Sequence, residues 1–248
     1  MAKAVWVGLA MGAVGCLGGT TAQAPATAVE RLEQARASAE RAEWPAARES
    51  AVAFWVSSCK QAPPSTDDCA SAQLVRGEAD LATEAPETAL LSFDWVLKNG
   101  KAPAQEKAQQ GLVRAKDALQ KLLEQRAVGL TWLVVEQDFD DNHKFGPERA
   151  TYRIDGQPLG EVLSHGQFAV RQRRVLAQAV PPGPHRLSVE IHWKGQGTFD
   201  HYLWSSFTPF EFEAPEGGAV VVSLDVTYNG GGPSNNSVEQ SFRVAKLP

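Results

Sequence analysis

The chain of 248 residues is 43% hydrophobic and 21% charged, proportions that exclude wholesale disorder, a collagen helix and a coiled-coil rod. Its length fits one large domain or two ordinary ones. With 24 basic against 29 acidic residues the net charge is −5, and neither half is basic, so no nucleic-acid partner held by phosphate neutralisation is expected.

Residues 1–15 read as a signal peptide. Met1-Ala-Lys3 is a short basic start, and Ala4 to Gly15 is an uncharged, largely apolar run of 12 residues, too short for a membrane-spanning helix of about 20 residues but suited to a secretory core. The run ends in Ala13-Val14-Gly15-Cys16, which resembles the lipobox of bacterial lipoproteins. That resemblance implies acylation of Cys16, a membrane contact through the lipid, and, with Leu17 rather than Asp next, an outer-membrane location facing periplasm or cell surface. Ordinary cleavage after Ala24 or Ala26 is the rival reading. Residues 18–28 are small and polar, so 16–27 are expected to form a flexible tether.

Helical spacing begins at residue 28. Pro45 sits at a plausible first turn, and Ala47, Ala51, Phe54 and Trp55 then share one face. Cys59 and Cys69 flank a polar, Pro-broken loop, an even pair that predicts a disulfide in an oxidising compartment; two unpaired thiols are the alternative. Further helices are predicted from Ala70 to Ala82, from Glu84 to Leu97 before the Asn99-Gly100 stop, and from Ala104 to Arg126. Their short connections predict antiparallel hairpins.

Gly77 and Gly111 stand 34 residues apart, Ala89 follows Gly77 by 12, Phe93 by four more, and Pro103 comes after the helix. Over residues 28–126 this resembles the tetratricopeptide repeat. The large residues usual in that repeat's first helix are replaced by Gln73, Arg76 and Asp80. A generic array of helical hairpins is the alternative reading.

From residue 129 the period changes to two. Leu187, Val189, Ile191 and Trp193 alternate with polar residues, as do Val220, Val222, Leu224, Val226 and Tyr228 with Ser223, Asp225 and Thr227. With further strands at 129–137, 149–154, 167–180, 200–213 and 237–246, a two-sheet sandwich is expected. Tyr152-Arg-Ile154-Asp-Gly156 followed by Ala179-Val-Pro-Pro-Gly183-Pro-His185 resembles PEGA-type and related Ig-like surface modules, which implies an Ig-like sandwich. The fold class is therefore α+β in two domains: a helical hairpin array over 28–127 and an antiparallel Ig-like β-sandwich over 128–248.

The candidate sites are few. Asp138, Asp140 and Asn142 alternate like the start of a calcium loop, but His143 and Arg149 stand where an EF-hand carries Gly and Glu; a solvated loop is the competing reading. Tyr202 and Trp204 could offer aromatic faces to a sugar ring, or fill the core. Arg171, Arg173 and Arg174 form a basic patch that suits an acidic partner or lipopolysaccharide phosphate, or merely protects an edge strand. The five histidines have no zinc spacing, Ser164-His165 lacks a nucleophile elbow, and no phosphate loop occurs. No catalytic residue, cofactor or metal is expected. A non-catalytic envelope scaffold with other envelope proteins as partners is the leading expectation, and a module binding peptidoglycan or surface glycan the second.

Overall fold

The computed structural model describes residues 27–60, 66–139, 145–163, 173–195, 197–199, 201–229 and 238–247. The leader with Cys16, and residues 140–144 and 164–172, lie outside them.

Among the described residues five helices come first: α1 (Ala28–Glu40), α2 (Trp44–Ser58), α3 (Thr66–Ala82), α4 (Pro86–Asn99) and α5 (Ala102–Arg126). Each start has a local cause. Thr27 and Glu30 close a capping box on α1. Pro occupies the first turn of α2, α4 and α5, where its missing N–H loses nothing. Helix α3 begins at Thr66, four residues before the expected Ala70, because Asp67 and Asp68 join its first turn and suit the positive end of the helix dipole.

The α1–α2 and α3–α4 turns are the same structure. Glu43 N–H donates to the Ser38 carbonyl at 2.8 Å and Ala42 N–H to Ala39 at 3.0 Å; Ala85 N–H donates to Asp80 at 2.8 Å and Glu84 N–H to Leu81 at 3.3 Å. These are paired Schellman bonds, and they place Ala42 and Glu84 at φ 56° and 57°. Successive helices pack as hairpins, with α1 on α3 and α3 on α5. Phe93 of α4 is fully buried between α3 and α5. A Cβ built on Gly77 would lie 2.7 Å from its ring, and one on Gly111 2.5 Å, so both glycines are required by close approach.

Eight strands follow among the described residues: β1 (Thr131–Phe139), β2 (Phe145–Ile154), β3 (Gln157–Leu163), β4 (Arg173–Val180), β5 (Gly183–Gly195), β6 (Leu203–Ala214), β7 (Ala219–Tyr228) and β8 (Val238–Leu247). They form two four-stranded sheets in the orders β4-β1-β7-β8 and β3-β2-β5-β6. All pairs are antiparallel except β1 with β7, which run parallel. Asp155 and Gly156, at φ 50° and 80°, form the two-residue β2–β3 turn, as a type I′ hairpin requires.

The helices cover one face of the first sheet and the second sheet covers the other, so all nine residues of β1 are buried. Leu133, Val135 and Phe139 face the sandwich core with Tyr152, Ile191 and Trp193. Trp132 and Val134 face the helices with Ala219, Val221, Leu119, Leu122 and Leu123. A single short joint, 127–130, connects α5 to β1.

Candidate functional site

The two halves meet along a seam whose chemistry changes along its length. On the helix-facing rows of β1 and β7, Trp132, Val134, Ala219 and Val221 lie under α4 and α5. Because strand side chains alternate, the same rows continue as Glu136, Asp138, Ser223 and Asp225. There the facing helices supply cations.

Glu136, 5% exposed, sits between Arg48 and Arg76 at 3.4 Å from each. Asp80, fully buried, accepts from Arg48 at 2.6 Å and lies 3.5 Å from Arg76. Lys60 pairs with Asp138 at 3.0 Å and with Asp225 at 2.8 Å, and Arg243 pairs with Asp225 at 2.7 Å. On the other side, Arg174 of β4 reaches buried Glu87 of α4 at 3.0 Å.

Burial pushes the Glu136 carboxyl above its ordinary value, although Arg76 and Arg48 pull the other way. Burial raises Glu87 likewise, against the pull of Arg174. For Arg48, burial opposes the charge, but Asp80 and Glu136 outweigh it and hold the guanidinium above its usual value. Lys60 is raised in the same way by Asp225 and Asp138. The arrangement neutralises charge pairwise and fixes the register of helices on sheet.

At the polar end the seam opens into a cleft of about 300 Å³ between α2, α3 and α4 on one side and β1, β7 and β8 on the other. Trp55 and Trp95 wall it, meeting edge to face with ring centroids 4.6 Å apart. A second, larger groove of about 790 Å³ runs between α4, α5 and β8, past Leu90, Leu112, Leu119 and Leu247.

The residues singled out from the sequence scatter. Cys59 and Cys69 are bridged, with Cα atoms 6.0 Å apart, and tie α2 to α3. Asp138 is held by Lys60 in the seam; Asp140 and Asn142 lie outside the described residues. Trp204 points inward and stacks on buried Trp193, centroids 5.5 Å apart and 13° from parallel, whereas Tyr202 is 39% exposed and packs on His201. The two aromatics therefore do not share one flat surface. Arg174 is committed to Glu87 across the seam, so it does not belong to a solvated basic patch; the side chain of Arg173 and all of Arg171 lie outside what is described. His192 sits beside Arg149 at 3.1 Å and pairs across the β5–β6 ladder with Ser205.

His185 places Nδ1 2.7 Å from Asp155 Oδ2 and Nε2 2.8 Å from the Pro181 carbonyl. Both neighbours accept, so the protonated imidazolium donates to both. Burial opposes the charge, but the Pro181 carbonyl and Asp155 outweigh it and raise the imidazole pKa. The Asp-Gly and Pro-Gly-x-His turns are thereby stapled together.

The seam was the site least legible in the sequence. Its one signal is the polar trio Gln73, Arg76 and Asp80 along one helix; all three are buried.

No protein-family profile matches the chain, and no curated protein matches it. Among solved structures, one described as a "putative cell adhesion protein" from Bacteroides fragilis aligns at 12% identity and a TM-score of 0.27. The alignment covers 48% of this chain and 46% of that one, and a likeness this low carries no functional argument.

Proposed function

We propose that the protein is a non-catalytic, exported scaffold of the bacterial cell envelope, in which a tetratricopeptide-like array and an Ig-like sandwich form one rigid body that holds partner proteins in fixed geometry. The observation that carries this reading is the seam. An apolar contact under α5 continues into a buried ion network, and the joint of residues 127–130 leaves no slack. Tethered independent modules need neither feature.

The inner face of α3 is taken by the first sheet, so a partner would use what stays open, the groove between α4, α5 and β8. The array ends on α5, which β1 follows, and the groove's leucines suit an amphipathic helix. The disulfide supports export. The lipobox-like Ala13-Val14-Gly15-Cys16 supports an outer-membrane lipid anchor; Cys16→Ser is expected to release the protein from membranes, and unchanged membrane fractionation in that variant removes the anchor from the reading.

The deciding experiment expresses residues 27–127 and 128–248 separately and compares their denaturant midpoints with those of the whole chain. Both halves are expected to be markedly less stable alone. Two halves that fold with undiminished stability would return the chain to independent modules and remove the adaptor.

A further inference from the structure

We propose that the cleft at the polar end of the seam is a binding site for a neutral sugar, admitting one pyranose ring between the Trp55–Trp95 wall and the Asp225–Arg243 rim. This does not rest on the scaffold reading; the site has its own chemistry.

Size comes first. About 300 Å³ is the lower end of small-molecule pockets, which run about 300–1,000 Å³, so it admits a ring and not a peptide. The wall comes second. Trp55 and Trp95 are half-buried and meet edge to face, so indole surface borders the cleft, and an aromatic face suits the C–H face of a pyranose while remaining indifferent to charge.

Hydrogen bonding comes third. Ser92 is 2% exposed, lines the cleft, and its Oγ has no hydrogen-bond partner among the described residues. A buried hydroxyl left unpaired is costly, and a ligand hydroxyl can both donate to it and accept from it. Gln73, 4% exposed, brings an amide to the same floor. At the rim Asp225 only accepts and Arg243 only donates. A vicinal diol, which does both, bridges such a pair.

Charge comes last and decides the class. Glu136, Asp138 and Asp225 are matched by Arg76, Lys60 and Arg243. A carboxylate or ammonium entering the cleft finds each opposite charge already matched, whereas a neutral polyol needs no unmatched charge.

The test is ligand-observed saturation-transfer NMR on the full chain in detergent with glucose, galactose, mannose and N-acetylglucosamine, and with glucuronate and glucosamine as charged controls. At least one neutral sugar is expected to bind and both charged sugars to bind more weakly. Ser92→Ala and Arg243→Ala are each expected to weaken binding about tenfold, the loss of one hydrogen bond. Arg243 is mostly exposed, so its variant keeps the fold even if a change at Ser92 does not. Tyr202→Ala, on the remote outer surface, should leave binding unchanged. No binding by any neutral sugar, equal binding of the charged sugars, or binding that survives both cleft variants overturns the site.

Discussion

The two ends of the seam solve one problem differently. Under α4 and α5, Trp132, Val134, Ala219 and Val221 meet leucines and alanines, and apolar burial contributes about 25 cal/mol per Å² without regard to direction. Under α2 and α3, Glu136 of β1 meets Arg48 and Arg76, which also hold Asp80 of α3, and the desolvation of four charges consumes most of what their attraction returns. The apolar end holds the halves together; the polar end fixes where they sit. A leucine surface tolerates a slide of the array along the sheet, but a slide at the polar end strands a buried charge.

The sharpest way to break that comparison is to remove one charge. Glu136→Ala leaves two guanidiniums sharing Asp80 and is expected to lower stability by about 3–5 kcal/mol, comparable with Leu119→Ala at the apolar end, about 2–5 kcal/mol. The ends part company on complete replacement. Arg48→Met, Arg76→Leu, Asp80→Leu and Glu136→Val together should be neutral or stabilising. Urea midpoints of all three variants decide it. A quadruple variant as weak as Glu136→Ala would mean that the network contributes stability in its own right.

The next largest effect lies within the array, where no charge takes part. Phe93 touches both Gly77 and Gly111, so Gly111→Ala forces the ring or α5 to move and is expected to cost about 1–3 kcal/mol by overpacking. A better helix former would otherwise stabilise α5 by about 1 kcal/mol, so the sign of the change is the readout. Since α5 also carries the apolar end of the seam, the loss should fall on the docking of the halves while Arg48, Arg76 and Glu136 keep their geometry.

Acidity separates the ends more gently. Burial holds the folded-state pKa of Glu87 above its ordinary 4.5. An acid raised in this way lowers stability above its folded pKa, and the penalty is lifted as the pH falls through that pKa toward 4.5. Glu87→Gln should therefore be more stable than the parent at pH 7, with the gain shrinking toward pH 4.5. His185 also has a raised pKa, and as a base it contributes stability below about 6.5 that is lost as the pH rises through its folded value. His185→Gln should flatten that neutral-to-alkaline loss without touching the seam. Thermal unfolding from pH 4.5 to 8.5 reads both; a Glu87→Gln gain that persists at pH 4.5 would show that packing, not charge, was relieved.

Legibility follows the same division. The hairpins were readable because Pro, Asn-Gly and the 34-residue spacing act locally, and Phe93 explains that spacing: one ring needs a glycine on each side. The sandwich was readable from alternation along β5 and β7. Strand β3 was not, because Pro158 and Gly160 interrupt it, which an edge strand tolerates. The parallel pairing of β1 with β7 joins strands about 90 residues apart, and no local pattern encodes it. Trp204 read as a possible platform because sequence cannot say which side of an edge strand faces in; its register opposite Trp193 does. The seam escaped because a charged residue in a helix or strand reads as solvated until the surface it meets is known.

The smallest expected effect concerns the turns that set hairpin geometry before any seam forms. Ala42 and Glu84 both occupy the left-handed region, at φ 56° and 57°, where an L-residue bears about 1–2 kcal/mol of steric strain and glycine is the usual occupant. Glycine also loosens the unfolded chain, which takes back part of that gain. Ala42→Gly and Glu84→Gly should each stabilise by no more than about 1 kcal/mol. They differ in one respect. Glu84 lies 3.9 Å from Arg126 on an exposed surface, a contact worth little, and its carbonyl accepts from Arg174 at 3.4 Å, a bond that glycine preserves. The two gains should therefore be nearly equal and additive, since the turns lie on separate hairpins. A gain at Ala42 with a loss at Glu84 would mean that the Glu84 side chain, and not only its backbone, helps to seat β4 against the array.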